Sequence, residues 1–464
     1  MSTRLLIKNG SIVSEKETIK ADILIEDGLI AEIATHINVK DAIVIDAAHQ
    51  YVMPGGIDPH VHLFLSTPNG TIADNFYDGS IAALAGGTTT FIDFITPERN
   101  ESLIDAAMKR KKEAENSLID YALHGSITSW NDNTFNEMKA CVDNEGITSF
   151  KVYMAYKKTM GITDDIFFRT LRSADQLGVL VLSHCENGDV IDILQEEAIN
   201  NEHNDARYHA LTRPAATEGE AINRALMMAK ITKAPLYVVH VSTKQGAKLI
   251  KEAKEENIKV FAETCPHYLL LNDKAYEKAD NPEIYIMSPP LRKKEDQNYL
   301  WKALNSGVID IVSTDHCSFL LKDKINKSDF TKVPNGIAGL ETRLSLLFTY
   351  GVLESKISVN RFVALTATNP AKMFGLYPQK GSISVGTDAD IVIWKKGESV
   401  ITNSQLHHKS DHTVYEGMHL GAYPQTVICG GRVAFDKGKV FTDQLKGRFL
   451  KRKKFDGRLL FNGL

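Results

Sequence analysis

Residues 56–62 read GIDPHVH and are the first of eight short runs rich in apolar or β-branched residues. Longer segments of helical period separate these runs, which lie at 56–62, 88–94, 120–127, 149–154, 179–184, 236–241, 259–264 and 309–314. The clearest helical candidates are 76–85, 102–115, 164–176, 218–231 and 245–255. Eight strands, each followed by room for a helix, predict an α/β fold of the (β/α)8 TIM barrel type. A doubly wound open sheet is the alternative, and it ranks second because no Gly-x-Gly-x-x-Gly turn follows an early strand.

Both ends of the chain have a different, β-rich pattern. Residues 5–13 predict a strand, a turn at Asn9-Gly10 and a second strand, and residues 21–33 predict a hairpin. Past Tyr377, further strand-like runs lie at 389–394, 425–429 and 431–435. We expect the two ends to form one small β-sandwich domain, with domain limits at 1–53, 54–376 and 377–464. The basic stretch 448–454 is expected to be a solvated or subunit-contacting tail.

Composition limits the classes of function. The 464 residues carry a net charge of −4 and are 43% hydrophobic, values typical of a globular protein without a nucleic-acid or anionic-membrane partner. The first ten residues hold too short an apolar run for a signal peptide, and no run reaches the ~18 residues of a membrane span. Five scattered cysteines without a Cys-x-x-Cys pair argue against a disulfide framework. These features predict a soluble, cytoplasmic enzyme.

Several of the predicted barrel strands end in side chains that can bind a metal ion. His60 and His62 are two residues apart in a strand and therefore face the same side. Three further apolar runs end at His184, His240 and Asp315. Any one of these residues alone is more often a buried polar group, but the carboxyl ends of barrel strands are where such enzymes carry their chemistry. The joint pattern predicts a site for divalent metal of the zinc kind.

Five candidate ligands exceed what one catalytic zinc ion takes, which indicates two metal ions and an anion that bridges them. Lys151 lies within the apolar run 149–154 and is the candidate for the bridge. A buried lysine must be paired or neutralised. From the local sequence, a salt-bridged or snorkelling lysine is the simpler interpretation.

The whole chain resembles the dihydropyrimidinase/hydantoinase branch of the amidohydrolase superfamily, the cyclic amidases. Matching motifs lie in the same order along the chain, at 55–62, 85–89, 150–156, 184–187, 263–266, 288–292, 313–317 and 334–336. The resemblance implies that Lys151 carries an N6-carboxyl group that bridges two metal ions, most simply Zn²⁺, with Mn²⁺ or Co²⁺ as alternatives. It further implies His60, His62 and Asp315 as ligands of one ion and His184 and His240 as ligands of the other.

The same resemblance implies the reaction and the substrate contacts. A hydroxide bridging the two ions would hydrolyse a hydantoin or 5,6-dihydropyrimidine ring to an N-carbamoyl amino acid. Asp315 would act as base and then acid, and Tyr156 would polarise the carbonyl. Backbone groups at Ser288 and Asn335 would hold the cyclic imide. A homotetramer is the assembly usual in this family.

Three alternatives stay open at the level of sequence. Dihydroorotases and allantoinases typically carry a charged residue just after the histidine pair, whereas this chain has Leu63-Phe64-Leu65, which favours a neutral substituent on the ring. A non-catalytic scaffold of the same fold would lack metal ligands that this chain retains. A mononuclear deaminase would lack the lysine at position 151.

Overall fold

Five strands precede the barrel in the computed structural model, which describes residues 4–461 and the side chains of residues 4–460. They are β1 (Leu5–Val13), β2 (Thr18–Glu26), β3 (Leu29–Ala34), β4 (Ile43–Asp46) and β5 (Tyr51–Pro54). The hairpin predicted at 21–33 is confirmed as β2 and β3. The turn predicted at Asn9-Gly10 is wrong, because β1 is continuous there. Asn9 has φ 61°, and the irregularity shifts the register of β1 against β2 without reversing the chain.

Ten strands follow, and eight of them form the barrel. They are β6 (Gly56–Asp58), β7 (Ser66–Thr67), β8 (Gly70–Thr71), β9 (Thr88–Ile95), β10 (Asp120–Ser126), β11 (Ser149–Tyr153), β12 (Leu180–His184), β13 (Leu236–Val238), β14 (Val260–Thr264) and β15 (Ile311–Val312). Strand β6 and strands β9 to β15 form one eight-stranded sheet in sequential order, and β7 and β8 form a separate hairpin. A parallel bridge between Val61 and His316 brings the first and last strands together. The predicted barrel is therefore confirmed and the open sheet is excluded.

Fifteen helices accompany the strands up to residue 373. They are α1 (Phe76–Ala85), α2 (Leu103–Glu113), α3 (Thr134–Glu145), α4 (Asp164–Leu177), α5 (Gly188–Asn200), α6 (Arg207–Leu211), α7 (Ala215–Thr232), α8 (Lys244–Glu255), α9 (Pro266–Leu270), α10 (Ala275–Lys278), α11 (Lys294–Asn305), α12 (Leu321–Lys324), α13 (Arg343–Leu347), α14 (Val359–Val363) and α15 (Asn369–Met373). The five helical candidates of the sequence correspond to α1, α2, α4, α7 and α8. Short π-helical segments at Phe348–Leu353 and Ala364–Thr368 link α13, α14 and α15.

The chain ends with β16 (Ile391–Val400), β17 (His419–Cys429), β18 (Arg432–Asp436), β19 (Lys439–Val440) and α16 (Arg458–Phe461). These four strands join the first five in one nine-stranded sheet, in which β16 pairs antiparallel with β5. The strands of this sheet contribute a separate apolar cluster, which includes Ile7, Ile23, Ile391 and Ile428. The predicted pairing of the two chain ends is confirmed, while the domain limits stay predictions.

The basic segment 448–454 does not match the expected solvated tail. Arg448 forms ion pairs with Asp120 and Asp388, and the backbone N–H of Leu450 donates to the carbonyl of Tyr121 at 2.7 Å. Arg452 is buried, and its guanidinium donates to Ser149 Oγ at 2.8 Å. Apart from Asp388, these partners lie on β10 and β11, so this segment packs against the barrel.

Two apolar clusters distinguish the inside of the barrel from its outside. The inner cluster takes alternate residues from the strands, such as Leu180 and Leu182 of β12. The outer cluster contains Val179 and Val181 together with residues of the surrounding helices. Because side chains alternate along a strand, His184 continues the inward series. Within residues 4–461, no helix combines the length and apolar composition needed to cross a membrane.

Candidate active site

All the site residues predicted from the sequence line one cavity at the carboxyl ends of the barrel strands. The cavity has a volume of about 320 Å³. The predicted residues that line it are His60, His62, Lys151, Tyr156, His184, His240, Ser288, Asp315 and Asn335. They come from the ends of five different strands and from two loops, at positions up to 275 residues apart in sequence. This end of the barrel is where barrel enzymes place their active sites.

His60, His62 and Asp315 form one group of possible ligands in the cavity. The Nε2 atoms of His60 and His62 lie 3.1 Å and 3.2 Å from Oδ1 of Asp315. One ligand atom from each of the three residues lies within 4.8 Å of the others, a spacing that can hold one metal ion. Strand β6 ends at Asp58 because Pro59 has no N–H to continue the ladder, yet both histidines beyond it still converge.

His184 and His240 form a second pair beside the first group. His184 Nδ1 lies 2.9 Å from His240 Nε2, and the ring centroids of His60 and His240 are 5.5 Å apart. Burial lowers the pKa of His184 and His240 and also that of His62. These imidazoles are therefore neutral near pH 7, which is the form that coordinates a metal ion.

The charges in the first group support one another. Burial alone would lower the pKa of His60, but the carboxylates of Asp315 and Glu263 raise it to about 9. Burial would raise the pKa of Asp315, but His60 and His62 hold it well below its usual range. Asp315 is therefore ionised at any physiological pH. A carboxylate beside imidazoles is a typical donor set for zinc, and His60, which is protonated near pH 7, would release its proton when a metal ion binds.

Lys151 is held inside the barrel by β11. Its neighbours Phe150 and Val152 belong to the outer apolar cluster, so the lysine side chain points inward. Its Nζ lies 5.3 Å from the ring centroids of both Phe94 and Tyr153, and the residue is 1% exposed. Burial lowers the pKa of this amine to about 8. Within the described chain it forms no ion pair, so the salt-bridged and snorkelling interpretations are wrong.

Three of the site residues have left-handed backbone conformations. Tyr156, His240 and Asp315 have φ of 57°, 39° and 50°. Such conformations are unfavourable for residues other than glycine and persist where the surrounding structure imposes them, commonly at functional sites. At His240 the left-handed conformation changes the direction of the side chain. Val239 belongs to the inner cluster, so regular alternation would turn the side chain of His240 outward, away from the cavity that it lines.

Tyr156, Ser288 and Asn335 line the cavity beside the histidine pair. The ring centroid of Tyr156 lies 5.1 Å from that of His184. Burial raises the pKa of Tyr156 to about 12, so its hydroxyl is protonated and can donate a hydrogen bond. The segments that carry Ser288 and Asn335 adjoin, since the N–H of Gly336 donates to the carbonyl of Ile286 at 3.1 Å.

Two buried carboxylates orient the histidines and were not selected from the sequence. Glu263, at the end of β14, accepts a hydrogen bond from His60 Nδ1 and another from the hydroxyl of Tyr237 at 2.8 Å. Glu186 accepts from Nε2 of His184 at 2.9 Å. Each carboxylate occupies one ring nitrogen and leaves the other for the cavity. The sequence does contain one indication of such a residue, because Glu263 is an acidic residue near the end of the apolar run 259–264.

Comparison with known proteins agrees with this geometry. Residues 51–434 match the amidohydrolase family. The chain is 42% identical to a D-hydantoinase of Geobacillus stearothermophilus over 456 residues, which cover 97% of each chain. It is 36% identical to a dihydropyrimidinase of Arabidopsis thaliana over 468 residues, which cover all of this chain and 88% of the relative.

Solved structures give the same result. The crystal structure of dihydropyrimidinase from Brevibacillus agri superimposes with a TM-score of 0.96 at 40% sequence identity, covering 98% of this chain and 100% of the other. The agreement extends over the barrel and the nine-stranded sheet. The chain therefore belongs to the amidohydrolase family, in the group that contains the D-hydantoinases and dihydropyrimidinases.

Proposed function

We propose that this protein hydrolyses a cyclic amide, either a hydantoin or a 5,6-dihydropyrimidine ring, to the corresponding N-carbamoyl amino acid. The observation that carries the proposal is the convergence of six candidate metal ligands with Tyr156 on one cavity. Membership of the amidohydrolase family and relatives named D-hydantoinase and dihydropyrimidinase support the same reaction.

The donor set fits two divalent cations. His60, His62 and Asp315 would hold one ion, and His184 and His240 would hold the other. We propose that Lys151 in its N6-carboxylated form would hold both ions. Among the described residues its buried amine forms no ion pair, and carboxylation would replace that amine with an anion between two cations. Zn²⁺ is the proposed metal, and Mn²⁺ or Co²⁺ would accept the same ligands. Bound ions would supply activation of water and polarisation of a carbonyl group.

The residues of the chain have separate roles in this proposal. Tyr156 donates its hydroxyl proton in a hydrogen bond to the carbonyl oxygen under attack, where negative charge develops. Asp315 accepts a proton from the attacking water and delivers it to the ring nitrogen that leaves. Main-chain groups of Ser288 and Asn335 hold the amide edge of the ring. These contacts fix the ring so that only one of its carbonyl groups faces the histidines.

The apolar residues after the histidine pair support a neutral ring substituent, but only one of them reaches the cavity. Leu65 lines it, whereas Leu63 is fully buried among core residues and Phe64 is 53% exposed. The main chain is anchored at this point, because the N–H of Leu63 donates to Asp93 Oδ2 at 2.9 Å. Leu65 alone among the three therefore opposes a charged substituent.

A metal analysis and a ring-opening assay test the proposal. We expect about two metal ions per chain. We also expect turnover of dihydrouracil, hydantoin or 5-aryl hydantoins. Activity confined to allantoin and dihydroorotate would favour the allantoinase or dihydroorotase alternative. A metal-free, inactive protein would favour the scaffold, and one metal ion with deaminase activity would favour the mononuclear alternative.

The variant Lys151→Met tests the bridge. Loss of a metal bridge removes several kcal/mol of transition-state stabilisation, so activity should fall about a thousandfold or more. Lys139→Met makes the same chemical change on the exposed face of α3 and should retain native activity. Reconstitution of metal-free protein should also require bicarbonate. Full turnover of Lys151→Met would contradict the bridged site.

We further propose a cytoplasmic homotetramer. All five cysteines lie within the described residues and are free, as suits a reducing compartment. The assembly rests on the family resemblance. Light scattering of the purified protein would measure the number of subunits directly.

A further inference from the structure

Lys324 is a fully buried lysine behind the wall of the cavity, and nothing in the proposed reaction uses it. It is the last residue of α12 and is 0% exposed. The helix is held in place at its start, where the N–H of Leu321 donates to Asp411 at 2.7 Å. Burial lowers the pKa of Lys324 to about 7. Within residues 4–460, no carboxylate forms an ion pair with it.

The partners of this amine are two main-chain carbonyl groups from different segments. Nζ of Lys324 donates to the carbonyl of Ile286 at 2.8 Å and to that of Gly336 at 2.6 Å. Ile286 lies two residues before Ser288, and Gly336 directly follows Asn335. The amine therefore links the two segments that border the cavity at the proposed amide-binding positions.

The segment at Gly336 has little freedom of its own. Gly336 has φ +145°, and a Cβ atom at this position would lie 2.6 Å from the Cβ and the carbonyl oxygen of Cys317. Its main chain must therefore pass close to Cys317 in this one conformation. Its carbonyl then points at Lys324, while its N–H donates to the carbonyl of Ile286. Both segments thus share one hydrogen-bonded junction.

We infer that Lys324 is a positioning residue that holds the main chain at Ser288 and Asn335 in register with each other for the amide edge of the substrate ring. Burying an amine without an acidic partner is unfavourable, and an apolar side chain of similar volume would fill the same space at less cost. What the amine adds is directional bonding to both carbonyl groups. This inference rests on the proposed function.

The variant Lys324→Met, which retains volume and removes the donors, tests this role in the metal-loaded enzyme with dihydrouracil and hydantoin. Two displaced main-chain hydrogen bonds should raise KM about tenfold or more, with a smaller change in kcat and native metal content. Arg361→Met is the matched control, because Arg361 also donates to two carbonyl groups, those of Leu304 and Ile309, away from the cavity. The control should lower thermal stability and leave KM within about twofold.

Unchanged KM in Lys324→Met, or the same rise in KM in the Arg361 control, would overturn the inference while the native enzyme remains active. If the native protein opens none of the rings, that result would contradict the proposed function and also the role of Lys324, which depends on it. If Lys324→Met does not fold, a crystal structure of the native protein with bound dihydrouracil decides the matter. The ring should contact the main chain of Ser288 and Asn335 with both Lys324 bonds intact, and a ring bound elsewhere would overturn the inference.

Discussion

Replacing Glu263 with glutamine should weaken metal binding while preserving the fold. Glu263 is fully buried and accepts hydrogen bonds from His60 Nδ1 and from the Tyr237 hydroxyl. Through the first of these it leaves Nε2 of His60 directed at Asp315, 3.1 Å away. Glutamine has nearly the same shape, and its oxygen can still accept from His60, but it lacks the negative charge.

The expected magnitude follows from that lost charge. A hydrogen bond to a charged group contributes about 1.5–3 kcal/mol, and a neutral one contributes about 1 kcal/mol. The difference of about 0.5–2 kcal/mol corresponds to a loss of about 2- to 30-fold in metal affinity. Losses of about 10- to 100-fold are typical when a residue that orients a ligating histidine is changed.

Zinc affinity should be measured by competition with a chelator, and the activity of each variant should be followed as free Zn²⁺ is raised. Glu263→Gln should need about tenfold more Zn²⁺ for half-maximal activity and recover most of its activity at saturation. Tyr237→Phe is the control, because it removes only the outer bond to Glu263, 2.8 Å long. It should cost about 1 kcal/mol of stability and change zinc affinity less than about threefold.

The reasoning would be refuted by a Glu263→Gln protein that melts like the native protein and binds zinc equally well. It would also be refuted if Tyr237→Phe weakened zinc binding as much as Glu263→Gln. In either case the carboxylate would not be what orients His60.

Two further predictions concern stability. Burial would raise the pKa of Asp74, but its hydrogen bond to His316 lowers that pKa to about 2 from a usual 3.8. The ionised carboxylate therefore contributes about 2 kcal/mol of stability above pH 4, and this contribution is lost as the pH falls towards 2. Urea unfolding should show Asp74→Asn less stable than the native protein by that amount at pH 7, with the difference vanishing near pH 2, and a constant difference would contradict the assignment. A chain that ends after Gly447 loses the ion pairs of Arg448 and the buried contacts of Arg452, and its melting temperature should fall by about 5 °C or more. An unchanged melting temperature would mean that the terminal segment contributes little to the fold.

Much of the barrel and of the site could be predicted from local patterns. Each of the eight predicted runs overlaps a barrel strand, and the inward direction of Lys151 and His184 follows from the alternation of side chains along β11 and β12. The predicted convergence of His60 and His62 with Asp315 also holds. These predictions succeeded because parallel strands in a closed barrel bring their carboxyl ends to one rim.

Tertiary structure alone decided the rest. His240 reaches the cavity through a left-handed backbone that reverses the alternation after Val239, and an irregularity of this kind is imposed by surrounding contacts. Glu263 meets His60 across 203 positions of sequence, a separation over which no local pattern carries information. The charges of the terminal segment are visible in the sequence, which is why a solvated tail was expected. Its partners are not visible there, because Asp120 and Asp388 come near Arg448 only when the barrel and the sheet have formed. Sequence periodicity therefore determined which side chains belong to the rim of the barrel, and long-range contacts determined how each one is aimed.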